Sequence, residues 1–264
     1  MNLDEYKDRF TTAVVDRDAA GVLTVRLHSK GQSLWWGGRP HRELAELFAA
    51  IASDRDNRVV VITGTGDSFI ALLDGPATTV LPRGETTATN WDRTIWEGNR
   101  LVNQLLDIEV PVIVAVNGPV VVHSEIAVLG DIVLATPETY FQDLAHFPMG
   151  MVPGDSMQVI WPLLLGPNRG RAFLLMGRKL FAQEAADLGV VAEVVPADTI
   201  LDRAYELAAR LAACNPVLLR NTRHTLVRPI RRAMAEDLHT GLALEALASL
   251  SGKEWFASLE HPTS

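Results

Sequence analysis

Three short stretches constrain this chain more than any others: residues 58–64 (RVVVITG), 110–116 (VPVIVAV) and 131–135 (DIVLA). Each is almost wholly apolar and rich in β-branched residues. A strand reads this way when both of its faces are buried, the situation in a parallel sheet covered by helices. Residues 22–28 (VLTVRLH) alternate in part and predict another strand. Between the strands lie helical periods. Residues 41–51 place Leu44, Leu47, Phe48 and Ile51 on one stripe, and residues 91–106 carry Ile95, Leu101, Leu105 and Leu106. Residues 184–189 predict a short helix closed by Gly189, before a strand over 190–195.

From Asp198 onward the pattern is helical, over about 198–214, 216–227 and 229–250. Strands alternating with helices, then a run of helices, predict an α/β fold: a core over residues 1–197 and a helical C-terminal region over 198–264. Residues 75–90, rich in Gly, Pro and Thr, predict a long irregular loop, and such loops are more often functional than idle.

Charge and cysteine content narrow the function classes. Asp and Glu number 32 against 24 Lys and Arg, which argues against nucleic acid as the main partner. Arg220, Arg223, Arg228, Arg231 and Arg232 form a local basic exception, read first as a solvated or interfacial helix face and second as a phosphate contact. Cys214 is the single cysteine, so no disulfide forms within the chain, as suits a reducing compartment. The acidic first ten residues lack the pattern of a signal peptide. The most apolar window, 110–135, is interrupted by Asn117, Gly118, Pro119, His123, Glu125 and Asp131, and reads as core and not as a membrane span. A soluble cytoplasmic protein is the expectation.

Those interruptions point to chemistry. His123, Glu125 and Asp131 lie in an apolar frame, and residues 141–155 add His146 and Asp155. Imidazoles and carboxylates leave water at a cost unless they are paired or working. Two histidines and acids so close together suggest proton transfer. The seven histidines show no paired metal-ligand spacing, and residues 64–67 (GTGD) lack the lysine of a phosphate cradle. There is no Gly-x-Ser-x-Gly elbow, and Cys214 lies outside the polar clusters, so a covalent nucleophile is disfavoured.

Over nearly its whole length the chain resembles the crotonase (enoyl-CoA hydratase/isomerase) superfamily. The resemblance rests on residues 60–74 (VVITGTGDSFIALLD), 110–118 (VPVIVAVNG), 131–135 (DIVLA), 150–154 (GMVPG) and 178–195 (RKLFAQEAADLGVVAEVV), in that order. It implies a spiral of ββα units with a helical C-terminal trimerisation region, as a homotrimer or a dimer of trimers. Two departures bear on function. Where the family carries a glycine triplet that helps to hold a thioester oxyanion, this chain has 120–123 (VVVH). The alanine-glycine of the other donor loop is Ala71-Leu72. Glu125 matches one glutamate of the hydratases, while His146 stands at the place of the second, which makes two-glutamate hydration an unfit reading.

The departures resemble the β-diketone hydrolase branch, of the oxocamphor hydrolase type. Residues 33–36 (SLWW) with His41 five residues on, His123 two residues before Glu125, 146–148 (HFP), 152–155 (VPGD) and 244–247 (LEAL) carry this resemblance. It implies hydrolysis of a carbon–carbon bond in a small, apolar, non-esterified cyclic or bicyclic diketone, without coenzyme A or another cofactor. Such a retro-Claisen reaction needs a base for water, donors for two carbonyl oxygens and an acid for the enolate carbon. Joined to that chemistry, the resemblance assigns His41, oriented by Glu245, to water activation. Trp36 and His146 hold the carbonyl oxygens, and His123, paired with Asp155, protonates the enolate. Trp36 is preferred over Trp35 for its spacing to His41. The aligned loops put Phe69, Leu72, Leu73, Trp91 and Phe147 around the ligand, and no metal is expected.

Each of these residues also has an ordinary structural reading. His41 heads an amphipathic helix, Asp155 follows Pro153-Gly154 where a helix cap fits, and Glu125 and Asp131 read as structural polar groups. Two other functions compete. An acyl-CoA enzyme of the same superfamily would use the basic residues 220–232 for the coenzyme, and a catalytically silent assembly subunit would explain the missing glycines.

Overall fold

The computed structural model describes residues 1–71 and 87–260, with the backbone alone for Ala71 and residues 252–260. Its strands are β1 (Ala13–Arg17), β2 (Val22–Leu27), β3 (Leu34–Trp35), β4 (Val59–Thr63), β5 (Ile70–Ala71), β6 (Val112–Val116), β7 (Ile132–Ala135), β8 (Tyr140–Phe141), β9 (Leu180–Phe181) and β10 (Glu193–Val194). Its helices are α1 (Gly38–Ser53), α2 (Ala88–Asp107), α3 (Glu125–Val128), α4 (Met157–Leu165), α5 (Pro167–Met176), α6 (Ala182–Asp187), α7 (Ile200–Ala212) and α8 (Pro216–Glu260).

The three apolar runs lie side by side. One sheet has the order β1-β2-β4-β6-β7-β10, antiparallel between β1 and β2 and parallel elsewhere. Alternate residues of these strands are buried on opposite faces. Val60, Ile62, Val112, Val114 and Val116 enter the larger core with α1 and α2. Val59, Val61, Ile113 and Ala115 face α7, whose Ala204, Ala208 and Ala212 are small enough to let the helix lie close. That double burial is why the strands carry no alternation in the sequence. Two smaller pairs, β3-β5 and β8-β9, are joined through Val120, which bridges Ile70 and Phe141.

Two expectations from the sequence change. Residues 88–90, assigned to the long loop, are the first turn of α2, capped by Thr87 Oγ1 accepting from the Asn90 amide at 3.1 Å. Residues 75–86 of that loop lie outside the described residues. The two terminal helices expected on either side of Pro229 are one helix, α8. A proline within a helix removes one hydrogen bond and costs about 3 kcal/mol. Here Val227, Met234, Leu238, Leu242 and Ala246 form a buried stripe through that point, and tertiary packing carries the helix across it.

The basic cluster is largely engaged in structure. Arg223 is fully buried and donates to Asp131 Oδ2 at 2.6 Å and to the carbonyls of Leu106 and Ile108. Arg231 bonds the Leu106 carbonyl and Asp107, and Arg220 the Arg55 carbonyl. Asp131 also accepts from the Val112 amide at 2.7 Å, so its structural reading holds. Arg223→Met leaves Asp131 without its charge partner and removes the clamp between α8 and the core. The expected loss is roughly 3 kcal/mol in urea unfolding, and a loss below about 1 kcal/mol counts against the clamp.

Candidate active site

Four chain segments bring the predicted polar residues together. Trp36 follows β3, and His41 lies in the first turn of α1. His123 sits in the turn after Val120–Val122 with φ of 48°, and Asp155 precedes Ser156, whose φ is 89°. Left-handed backbone outside glycine is uncommon and clusters at sites where the surroundings enforce it. Both turns aim a titratable group at the same spot. Glu245 arrives from α8 because Gly154 and Gly241 carry no side chain: a Cβ on Gly154 would lie 2.1 Å from the Gly241 carbonyl oxygen, with Glu245 Cβ at 3.1 Å. The two backbones touch, and the next helical turn delivers the carboxylate.

The contacts form two groups that meet at one indole. Trp36 is buried, with its ring centroid 3.8 Å from that of His123 at a 32° tilt and 5.9 Å from that of His41, edge to face. Its Nε1 has no hydrogen-bond partner among the described residues. In the first, His41 Nδ1 lies 3.0 Å from Glu97 Oε2. In the second, His123 Nδ1 lies 2.6 Å from Glu125 Oε1 and 3.2 Å from Asp155 Oδ2. Asp155 Oδ2 is also 3.4 Å from His146 Nε2, which has Glu245 Oε1 at 3.8 Å, while His146 Nδ1 lies 2.7 Å from Asp143 Oδ1. Every one of these side chains is buried.

Burial and charge divide the protons unequally. Burial pushes the His123 imidazole down to about 4, against the pull of Asp155. Burial works on His146 in the same direction but is outweighed by Asp155 and Asp143, which hold it charged well above the usual histidine range. Burial would raise Asp155, yet His146 and His123 keep its carboxyl far below the ordinary value. Glu125 and Glu245 go the other way. Burial raises Glu125 well above the carboxylate range and lifts Glu245 to about 8.

A raised carboxyl stabilises the fold while it is protonated, so the Glu245 contribution is full below its unfolded value near 4.5 and disappears as pH rises through about 8. Glu245→Gln, which imitates the protonated acid, should remove that part of the decline between pH 4.5 and 8. Urea unfolding at a series of pH values checks it, and an unchanged decline in the variant rejects it.

The sequence assignments fare differently. His123 and Asp155 are neighbours as expected, but Glu125, read as structural, is the nearer acid. The carboxylate beside His41 is that of Glu97 and not of Glu245, which faces His146 instead. Sequence reasoning passed over Glu97, although it stands four residues before Leu101 and eight before Leu105, on the buried stripe of α2. An acid in a stripe of leucines was the available signal. Both ring nitrogens of His146 face carboxylates, so it belongs to the acid network and not to an open wall.

Among the expected lining residues, Trp91 is buried with its Nε1 unpartnered among the described residues, Phe69 is wholly enclosed in the core, and Phe147 is half exposed. Leu72 and Leu73 lie outside the described residues. The amides of Val120 and Val121 donate to the carbonyls of Tyr140 and Ile70, so this stretch bonds its neighbours where the glycine triplet would hold an oxyanion. His123, Glu125 and Asp155 offer donor atoms within 4.8 Å of one another, the set that could hold a metal ion among the described residues.

A parallel sheet feeding two short sheets, with α8 returning over a buried acid–imidazole cluster, is the crotonase architecture. Residues 20–248 match the family of enoyl-CoA hydratases/isomerases, and the chain belongs to it. A probable enoyl-CoA hydratase of Mycobacterium tuberculosis H37Rv is 32% identical over 187 residues, 69% of this chain and 65% of that protein's length. The 1,2-epoxyphenylacetyl-CoA isomerase of Escherichia coli K12 is 30% identical over 193 residues, 73% of each.

Within the family the branch resemblance is carried by a solved structure. A β-diketone hydrolase of the cyanobacterium Anabaena sp. PCC 7120, bound to (S)-3-oxocyclohexyl acetic acid, matches with a TM-score of 0.91 at 43% identity, covering 96% of this chain and 100% of that one. An enoyl-CoA hydratase/isomerase of Mycobacterium paratuberculosis matches with a TM-score of 0.82 at 27% identity, covering 92% and 95%. Among the described residues no helix is long and apolar enough to cross a membrane.

Proposed function

We propose that the protein is a hydrolase that opens a cyclic or bicyclic β-diketone by a retro-Claisen reaction, giving a keto acid. The observation that carries this reading is the pair of imidazole–carboxylate groups that both pack against the buried Trp36 indole, whose Nε1 has no partner among the described residues. A diketone hydrolysis needs two such groups, one for the attacking water and one for the leaving enolate. The molecule bound to the Anabaena β-diketone hydrolase, (S)-3-oxocyclohexyl acetic acid, is a keto acid, the chemical type of the product proposed here.

In the proposed reaction His41 takes a proton from water as the oxygen attacks one carbonyl carbon. Trp36 Nε1–H donates to the resulting oxyanion, an indole being a donor only. The bond between that carbon and the carbon flanked by both carbonyls then breaks. Its electron pair moves into an enolate, and the attacked carbon becomes a carboxylic acid. His123 delivers a proton from Nε2 to the enolate carbon. Its nitrogen on the other side, Nδ1, faces Glu125 and Asp155, and Asp155 links it to the charged His146, which resupplies the proton. This reassigns His146 from gripping a carbonyl to supplying protons. The sum is diketone plus water to keto acid; His41 ends one proton richer and His146 one poorer, and passage of that proton from His41 to His146 through solvent resets the site.

A panel of cyclic diketones followed by mass spectrometry tests the reading, with the addition of one water expected. In D2O, with a diketone fully substituted between its carbonyls, one deuterium should appear on the carbon that lay between them. No turnover of any diketone overturns it. The acyl-CoA alternative draws on the names of the curated relatives. It predicts tight binding of free coenzyme A, and the engagement of Arg220, Arg223 and Arg231 within the fold weighs against that. Calorimetry with free coenzyme A separates the two.

A further inference from the structure

His41 can act as a base only if a nitrogen with a free lone pair faces the water, and an isolated imidazole divides its proton between two positions. Glu97 addresses that choice. It enters from α2, a helix distant in sequence from α1, and is 6% exposed. Its Oε2 lies 3.0 Å from His41 Nδ1, and its Oε1 accepts from Arg93 Nε at 3.3 Å. A carboxylate that also receives a guanidinium is ionised, and an ionised carboxylate only accepts hydrogen bonds. Burial would lift its proton affinity, but His41 and Arg93, with Arg42 nearby, hold it down. His123 and Asp155 are further titratable groups near His41: the two imidazole centroids are 5.9 Å apart, and His41 helps to hold the Asp155 carboxyl down.

We propose that Glu97 is a positioning residue that fixes His41 with its proton on Nδ1, so that Nε2 is the nitrogen offered to water. The inference rests on the hydrolase reading for its kinetic consequence, but the position of the proton is independent of any substrate.

Glu97→Gln is the discriminating variant because it keeps the shape. The Arg93 guanidinium, a donor only, retains the amide oxygen and turns the amide NH2 towards His41 Nδ1. Nδ1 must then accept, and the proton moves to Nε2. In 15N-histidine spectra the protonated and bare nitrogen shifts of His41 should therefore interchange. For diketone hydrolysis kcat should fall on the order of 100-fold with KM nearly unchanged, since a wrong tautomer impairs the reacting step more than binding. Arg93→Ala added to Glu97→Gln frees the amide to rotate and should restore part of the rate. Glu97→Asp keeps the charge and should keep the tautomer, which covers the case of a poorly folding glutamine variant.

Wild-type kcat together with unmoved His41 nitrogens in Glu97→Gln overturns the proposal, as does an Nε2-protonated ring in the wild type. If the wild type hydrolyses no diketone, the hydrolase reading fails, and the nitrogen shifts still decide the role of Glu97.

Discussion

Asp155→Asn should lower kcat for diketone hydrolysis on the order of 1,000-fold while leaving KM within a few-fold of wild type. Asp155 Oδ2 stands between His123 Nδ1 at 3.2 Å and His146 Nε2 at 3.4 Å. It contributes to keeping His146 charged, and it is the link through which His146 can reload His123. An asparagine fills the same volume without the charge. His146 then loses part of what offsets its burial, and the route between the two imidazoles is cut. Because the site is buried, the variant must first be shown to fold, by melting and near-UV circular dichroism. A folded Asp155→Asn enzyme within a few-fold of the wild-type rate removes Asp155 from the reaction. A loss confined to KM reassigns it to binding.

His41→Ala should have an effect of comparable size, on the order of 100- to 10,000-fold in kcat, the range that a positioned general base supplies. His41 is separated from His123 by 5.9 Å between ring centroids and belongs to a different hydrogen-bonded group. Of the other imidazoles in the site, His146 faces carboxylates with both ring nitrogens and His123 is assigned the opposite proton transfer, so neither takes over. Adding free imidazole should restore a fraction of the activity, because the deletion leaves room for a small base next to Glu97. Near-full turnover by the folded alanine variant assigns water activation elsewhere. Failure of imidazole to rescue, with kcat otherwise lost, points to a role for His41 in packing Trp36.

Much of the fold could be read from residues alone, for a local reason. The runs at 58–64, 110–116 and 131–135 are apolar on both faces, and only a parallel strand between two layers accepts that pattern. The observed β4, β6 and β7 sit side by side in that role. The stripes of α1 and α2 were legible in the same way. Pro229 misled, because its cost to a helix is local while the compensating stripe from Val227 to Ala246 is tertiary.

The site was legible in its membership more than in its pairings. His41, His123, His146, Asp155 and Glu245 all converge, and each stood out as a polar residue in an apolar or otherwise patterned context. Which acid serves which imidazole was not legible. Glu97 lies 56 residues from His41, and a spacing of that size says nothing about distance in space. Glu125, only two residues from His123, read as a structural polar group, and it is the left-handed backbone at His123 that brings the ring onto it.

The sequence by itself determined the layered α/β class, the family, and the replacement of the oxyanion glycines by valines and a histidine. Those properties depend on composition and period along a continuous stretch, which the chain carries explicitly. Only the tertiary structure decided that His41 answers to Glu97, that Glu245 looks to His146, and that Asp155 stands between two imidazoles. Those outcomes depend on distances of about 3 Å between residues far apart in the chain, set by how α1 packs on α2 and how Gly154 and Gly241 let α8 come close.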